Sequence, residues 1–266
     1  MKTMTIPLVL TVALMGCATE TQTSSGRDYL AKYRDVPISA PADAGFGAKN
    51  IDQMVRDAAA VEPVLKFPAR IGLARLDDGR LAAIPPEEAL AWQKAREKLG
   101  DGFGEFVPLS PMVVGMVTSA IRDQQGYFER YIEGVIAEIR FGAARQHLDA
   151  VLIYEEHSKQ ETHDNLLALG KLTIVGGFIL PSESHDAQGF AEGMLIDVVQ
   201  GYPYGTIQTV VDKQSSLESA WGWGSSRSTD EALADRVKTQ AGVQLADEGV
   251  GMFTKLRTQL AEMRAK

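Results

Sequence analysis

Near residue 149 the chain changes its hydrophobic period within a single residue, and this limits its possible folds more than any other feature. From 127 to 148, Ile132, Val135, Ile136, Ile139 and Ala143 recur at spacings of three and four, which predicts an amphipathic helix. Asp149 ends that pattern, and Ala150-Val151-Leu152-Ile153-Tyr154 follows at once as a β-rich run. A helix that passes into an apolar strand without a linker must pack back on the sheet that the strand joins, as in layered α/β folds. The pattern predicts Ile136 and Ile139 buried against Leu152 or its strand neighbours, with Arg145 on the outer face.

Other segments supply partners for that unit. Ile71 and Leu73 open a strand, Asp78-Gly79 stands where a tight turn needs positive φ, and Leu81 to Ile84 run back. The stretch that follows begins with proline, carries two early glutamates and stops at Gly100, which predicts a helix with Trp92, Ala95 and Leu99 facing the core. A shorter helix is expected at Ile51 to Val61, with Asn50 as N-cap and Pro63 beyond its end. Residues 105 to 111 read as a short strand broken by two prolines. Residues 166 to 180 are apolar but interrupted by Gly170, Lys171, Gly176 and Gly177, and read as strand or strand plus turn. A hairpin is predicted on either side of Gln200-Gly201-Tyr202-Pro203, then an edge strand and loop through 215 to 226. A terminal helix begins with Ser228 as N-cap and Glu231 three residues on. Its apolar stripe continues through Phe253, Leu256, Leu260 and Met263, with breaks expected at Gly242, Gly249 and Gly251. The expected fold is α/β (α+β): a mixed sheet of about five to six strands, packed with two to three helices and closed by a C-terminal helix.

The start of the chain is organised differently. Lys2 precedes a short run dominated by Ile6, Leu8, Val9, Leu10, Val12, Ala13, Leu14 and Met15, the pattern of a secretory signal. The run falls short of the ~20 apolar residues that a membrane-crossing helix needs. It ends at Leu14-Met15-Gly16-Cys17, and Cys17 is the single cysteine of 266 residues. This tetrapeptide resembles the bacterial lipoprotein lipobox, with a branched apolar residue at −3, a small residue at −1 and Cys first in the mature chain. The resemblance implies a diacylglycerol on the Cys17 thiol, cleavage before it and acylation of the new amine. Two or three acyl chains hold a protein stably where one does not. Ala18 in place of Asp after the Cys, by resemblance to lipoprotein sorting, points to the outer membrane with the domain in the periplasm. The expected organisation is a signal peptide over 1–16, an acylated Cys and flexible tether rich in Thr, Ser, Ala, Gly and Pro over 17–48, and one α/β domain over 49–266.

Removing 16 of 266 residues takes away Lys2 and no acid, so the net charge moves from −8 to −9. An acidic chain without a basic stripe argues against nucleic acid and against charge-driven binding to anionic lipid. Motifs for a phosphate-cradling loop, a dinucleotide fold, a zinc protease helix and a serine nucleophile elbow are absent from the sequence. The best residue set for chemistry is His157, His163 and Asp164, beside Glu155 and Glu156, two imidazoles and a carboxylate as zinc binding requires. Their spacing matches no known metal motif, and a solvated loop between apolar strands accounts for them more simply. His185-Asp186 reads as a second polar turn, and His147 as a cation suited to the last turn of its helix. Trp221 and Trp223, flanked by glycine, suit a partner surface or the closing of the core beneath the last strand. Nothing in the sequence calls for a cofactor.

The order of these elements resembles the α/β domain of the TolB N-terminal and curli-secretion lipoprotein class, which includes lipoprotein activators of penicillin-binding proteins. The likeness rests on Ile71 to Leu76 as first strand, Ala143 to Glu156 as helix into central strand, and Gly193 to Val210 as a late strand pair. More narrowly, residues 67–76 and 195–205 look like bacterial lipoproteins named rhombotarget lipoproteins, although the amphipathic end of this chain departs from a sorting substrate. The class implies docking on an envelope protein or self-association, and supplies no catalytic residues. The expected function is therefore a non-enzymatic envelope lipoprotein that binds a protein partner. The alternatives are a metal-dependent periplasmic hydrolase using His157, His163 and Asp164, and an oligomeric secretion channel or collar component.

Overall fold

The computed structural model describes residues 18–33, 51–116, 132–164, 181–211, 214–219 and 226–265. In chain order these form β1 (Ala18–Thr21), α1 (Gly26–Ala31), α2 (Ile51–Ala59), β2 (Ala69–Asp77), β3 (Arg80–Leu81), α3 (Pro86–Leu99) and β4 (Gly104–Pro108). There follow α4 (Ile132–Arg145), β5 (Ala150–Asp164), β6 (Pro181–Asp197), β7 (Pro203–Val210), β8 (Gln214–Ser219) and α5 (Ser226–Ala265). The described strands join one sheet of eight in the order β1-β7-β6-β5-β2-β3, with β4 also on β2 and β8 also on β6. β2 runs parallel to β4 and β5, and the remaining pairs are antiparallel. The sheet is mixed, as expected, with more strands than the sequence suggests.

Side-chain alternation divides the core into two layers. Ile71, Leu73, Leu152, Tyr154, Leu195 and Ile207 face α3 and α5, where Trp92, Leu99, Leu245, Phe253 and Leu256 complete the larger cluster. Ala74, Leu76, Val151, Ile153 and Ile196 face the other way and pack with Ile139 and Ala143 of α4. Ile139 is thus buried as predicted and Arg145 is exposed. The strand partners of Ile139 are Val151 and Ile153, because alternation sends Leu152 to the opposite layer. On α3, Glu88, Trp92, Ala95 and Leu99 form the buried stripe, and Gly100 follows the helix with φ 73°. Asp78 and Gly79 turn β2 into β3 with φ of 49° and 67°.

Four expectations need correction. The tether assigned to 17–48 is ordered at its start: Ala18–Thr21 adds to the sheet edge along β7, and a short helix with Ser25 as N-cap follows. The polar run after Tyr154 is no loop, because β5 continues through it in antiparallel register with β6 as far as Asp164↔Glu183. His185 and Asp186 likewise lie in β6, paired with Thr162 and Glu161, and not in a turn. The terminal helix runs through Gly242, Gly249 and Gly251 without a break, over 40 residues and about 60 Å. Its stripe of Leu233, Val237, Ala241, Leu245, Met252, Leu256 and Leu260 lies buried against the rest of the fold. That burial outweighs the ~1 kcal/mol each glycine costs a helix. Cys17, Trp221, Trp223 and the apolar run 166–180 lie outside the described residues.

Candidate functional site

The larger layer encloses a cluster of ionisable side chains whose buried polar atoms are only partly paired. Arg75 on β2 and Tyr154 on β5 are register partners, and Glu156 is two residues further along β5 on the same face. Diagonal neighbours of this kind meet across a sheet. Glu88 approaches from the first turn of α3. Its carboxylate is fully buried, that of Glu156 is 1% exposed and the Arg75 side chain 13%.

The contacts are specific. Arg75 Nη2 lies 2.9 Å from Glu156 Oε2, and Arg75 Nε lies 3.5 Å from Glu88 Oε1. The Tyr154 hydroxyl donates to Glu88 Oε2 at 3.0 Å. Neither approach of Arg75 has hydrogen-bond alignment, so Arg75 Nε, Glu88 Oε1 and both Glu156 oxygens are buried without a hydrogen-bond partner. Above them, α5 presents Gly242. A Cβ at that position would lie 2.7 Å from Glu88 Cδ, so only glycine lets the helix close over the carboxylate. Trp92, one turn after Glu88, packs edge-on to Phe106 at 5.0 Å and tilted on Tyr154 at 5.9 Å, which walls the group with aromatic rings.

Burial dominates the electrostatics. It pushes Glu88 above the ordinary carboxylate range, against the pull of Arg75 and the Tyr154 hydrogen bond. Burial, then the charge of Glu88, pushes Glu156 up to about 8. Burial and the two carboxylates push Tyr154 upward, so its phenol remains a donor. Two acids and one guanidinium, closed from solvent, can store a proton but cannot meet a substrate without movement of α3 or α5.

A second buried carboxylate shows the contrast. Asp197, at the end of β6, accepts from Val199 N at 2.8 Å and Gln200 N at 2.7 Å through Oδ1, and from the Tyr204 hydroxyl at 3.2 Å through Oδ2. Tyr204 Oη accepts in turn from Leu65 N at 2.7 Å. Each Asp197 oxygen has a donor, and the arrangement ties the β6–β7 turn to the chain before β2.

The histidines lie elsewhere. His157 is exposed on β5, 3.9 Å from the Glu192 carboxylate across the β6 pair. His163 and Asp164 follow on the same strand, in register with Ser184 and Glu183. Six residues of strand place the backbones of His157 and His163 about 20 Å apart. The fold does not bring this set to one point. Among the described residues no group of three or more His, Cys, Asp or Glu is placed to hold a metal ion.

Sequence patterns did not single out Arg75 or Glu88, and named Glu156 only as a neighbour of the histidine set. Glu88 reads as one of two acids favourable at a helix start, yet it also occupies the first position of the stripe that continues through Trp92, Ala95 and Leu99. An acid inside an apolar stripe was the available signal.

No family model matches the chain, and no curated protein matches it in sequence. Similar solved structures include the PelC dodecamer of Paraburkholderia phytofirmans, 8% identical with TM-score 0.28, covering 71% of this chain and 87% of that one. Lipoprotein GNA1162 of Neisseria meningitidis is 16% identical with TM-score 0.26, covering 65% and 97%. A putative neuraminyllactose-binding hemagglutinin homolog of Helicobacter pylori is 8% identical with TM-score 0.28, covering 75% and 95%. Among the described residues no helix is long and apolar enough to cross a membrane.

Proposed function

We propose that this chain is a lipid-anchored lipoprotein of the bacterial outer membrane whose α/β domain, in the periplasm, binds a protein partner and performs no catalysis. One observation carries the anchor: Leu14-Met15-Gly16-Cys17 stands directly before β1, whose first residue is Ala18. An acylated Cys17 then ties the sheet edge to the membrane through a single peptide unit, where a long tether would let the domain roam. The binding role draws on β5. Its pairing with β2 ends at Leu76↔Glu155, so from Glu156 outward that edge has no strand beside it among the described residues. An open edge offers unpaired backbone donors and acceptors to an incoming strand, while charged side chains along it discourage indiscriminate pairing.

Metabolic labelling with a fatty acid tests the anchor. Label on the native chain and none on Cys17→Ser is expected, since a hydroxyl cannot replace the thiol in that transfer; a labelled serine variant contradicts the anchor. Photo-crosslinking in intact cells tests the edge. A crosslinker at position 157 is expected to yield a discrete protein adduct, and one at position 236, on the exposed side of α5, none. Equal yields from the two positions would refute the edge as the binding surface.

A further inference from the structure

We propose that Glu88 and Glu156 carry one proton between them beneath α5, making the seam between the sheet and the α3–α5 layer a proton-locked joint that loosens when that proton is lost. The geometry requires a donor that the ionised groups lack. One guanidinium, Arg75, lies within 3.5 Å of Glu88 Oε1 and 2.9 Å of Glu156 Oε2, so two buried acids share a single cation and neither Glu156 oxygen receives a hydrogen bond. With both ionised, three of their four oxygens are buried without a hydrogen-bond partner, a costly arrangement for charged groups in a protein interior. A single shared proton supplies the missing O–H and reduces the group to one negative charge opposite one guanidinium.

Among the described residues no cation other than Arg75 forms an ion pair with either carboxylate. β2 contributes Arg75 and the acid Asp77, which raises Glu156 further. β5 contributes Tyr154, a donor to Glu88, and β6 places Ala191 opposite Glu156. α3 contributes Glu88 and Trp92, and α5 contributes Gly242. Lys238, one turn before Gly242, is half-buried and makes no ion pair with either carboxylate. On loss of the proton to solvent the site keeps two carboxylates against Arg75, and their repulsion bears on α3, which carries Glu88, and on α5, which covers it.

The sign follows from linkage. Burial pushes Glu156 up to about 8 in the folded chain, from an ordinary value of 4.5 when exposed. Between these values the folded state binds more protons, so stability falls as pH rises through that window and levels off above it. The stabilisation is complete below the unfolded value.

Two measurements on the full mature chain in detergent test this. Infrared difference spectra of the native protein should show the carbonyl stretch of a buried protonated carboxyl at pH 7, lost in alkali and absent from Glu156→Gln. Denaturant unfolding over pH 4.5–8 should give the native chain a pH slope larger than that of Glu156→Gln by about one proton. Glu88→Gln should flatten the slope in the same way. No protonated-carboxyl band at neutral pH, or equal slopes for native and variant, overturns the proposal. Should neither variant fold, the native band and its titration decide alone.

Discussion

The inner and outer halves of the β5–β6 hairpin share one continuous ladder and differ in nearly everything else. Residues 150–154 of β5 are each buried, and Glu156 beyond them remains closed from solvent. His157 and Lys159, one and three residues further on, are exposed. The inner half has β2 on one side and β6 on the other, under α3 and α5 on one face and α4 on the other. The outer half keeps β6 but has lost β2, and along β6 its company is β8 in place of β7. The difference separates two properties that strand patterns tend to merge. Backbone pairing fixes where a strand runs, and burial fixes which residues it can carry. The inner half is constrained by both, and the outer half by pairing, with burial confined to Ala187 and Gly189 of β6 under Leu233 and Val237 of α5.

The largest effects are expected where the halves differ most in burial. Trp92→Ala, which empties the wall between Tyr154 and Phe106, should cost about 3–5 kcal/mol in denaturant unfolding. Ile139→Ala, beneath Val151 and Ile153, should cost about 2–5 kcal/mol. Tyr154→Phe keeps the ring and removes the donor to Glu88 Oε2, so a loss of about 1–3 kcal/mol is expected. A Tyr154→Phe variant as stable as the native chain would show that Glu88 does not depend on that bond. In the outer half, Glu192→Gln breaks only an exposed pairing with His157, and a change below about 0.5 kcal/mol is expected. A large loss there would erase the contrast between the halves.

The same contrast explains what the sequence made legible. Periodicity located α3, α4, the β2–β3 turn and the β6–β7 hairpin, because in each the pattern of burial matches the period of the backbone. It failed on the outer half of β5 and on His185-Asp186, where polar residues on both faces remove the alternation that marks a strand. It failed again at Gly242 and Gly249, where glycine signals close approach of α5 to Glu88 and Trp92 and not a break. Glu88 was hidden for a third reason: an acid in the first turn of a helix is already explained by helix-start chemistry, so its burial leaves no separate mark in the sequence. The His157, His163 and Asp164 set drew attention through residue type alone, and only the strand's rise per residue shows how far apart its members stand.

The smallest expected effect concerns that set. Replacing His157 and His163 together by glutamine should leave folding, membrane attachment and complementation of a deletion unchanged, with metal content measured alongside. One zinc per native chain, lost together with function in the double variant, would replace the binding role by the hydrolase.

Amide hydrogen exchange along β5, followed by mass spectrometry of the native chain, tests the division of the hairpin most directly. Amides of residues 150–156 are expected to exchange only through global unfolding, since both neighbouring strands and both covering layers must separate to expose them. Those of 157–163 should exchange much faster through local opening of the arm. Equal protection along the whole strand would contradict the account, because it would mean that the outer half is held by as much structure as the inner.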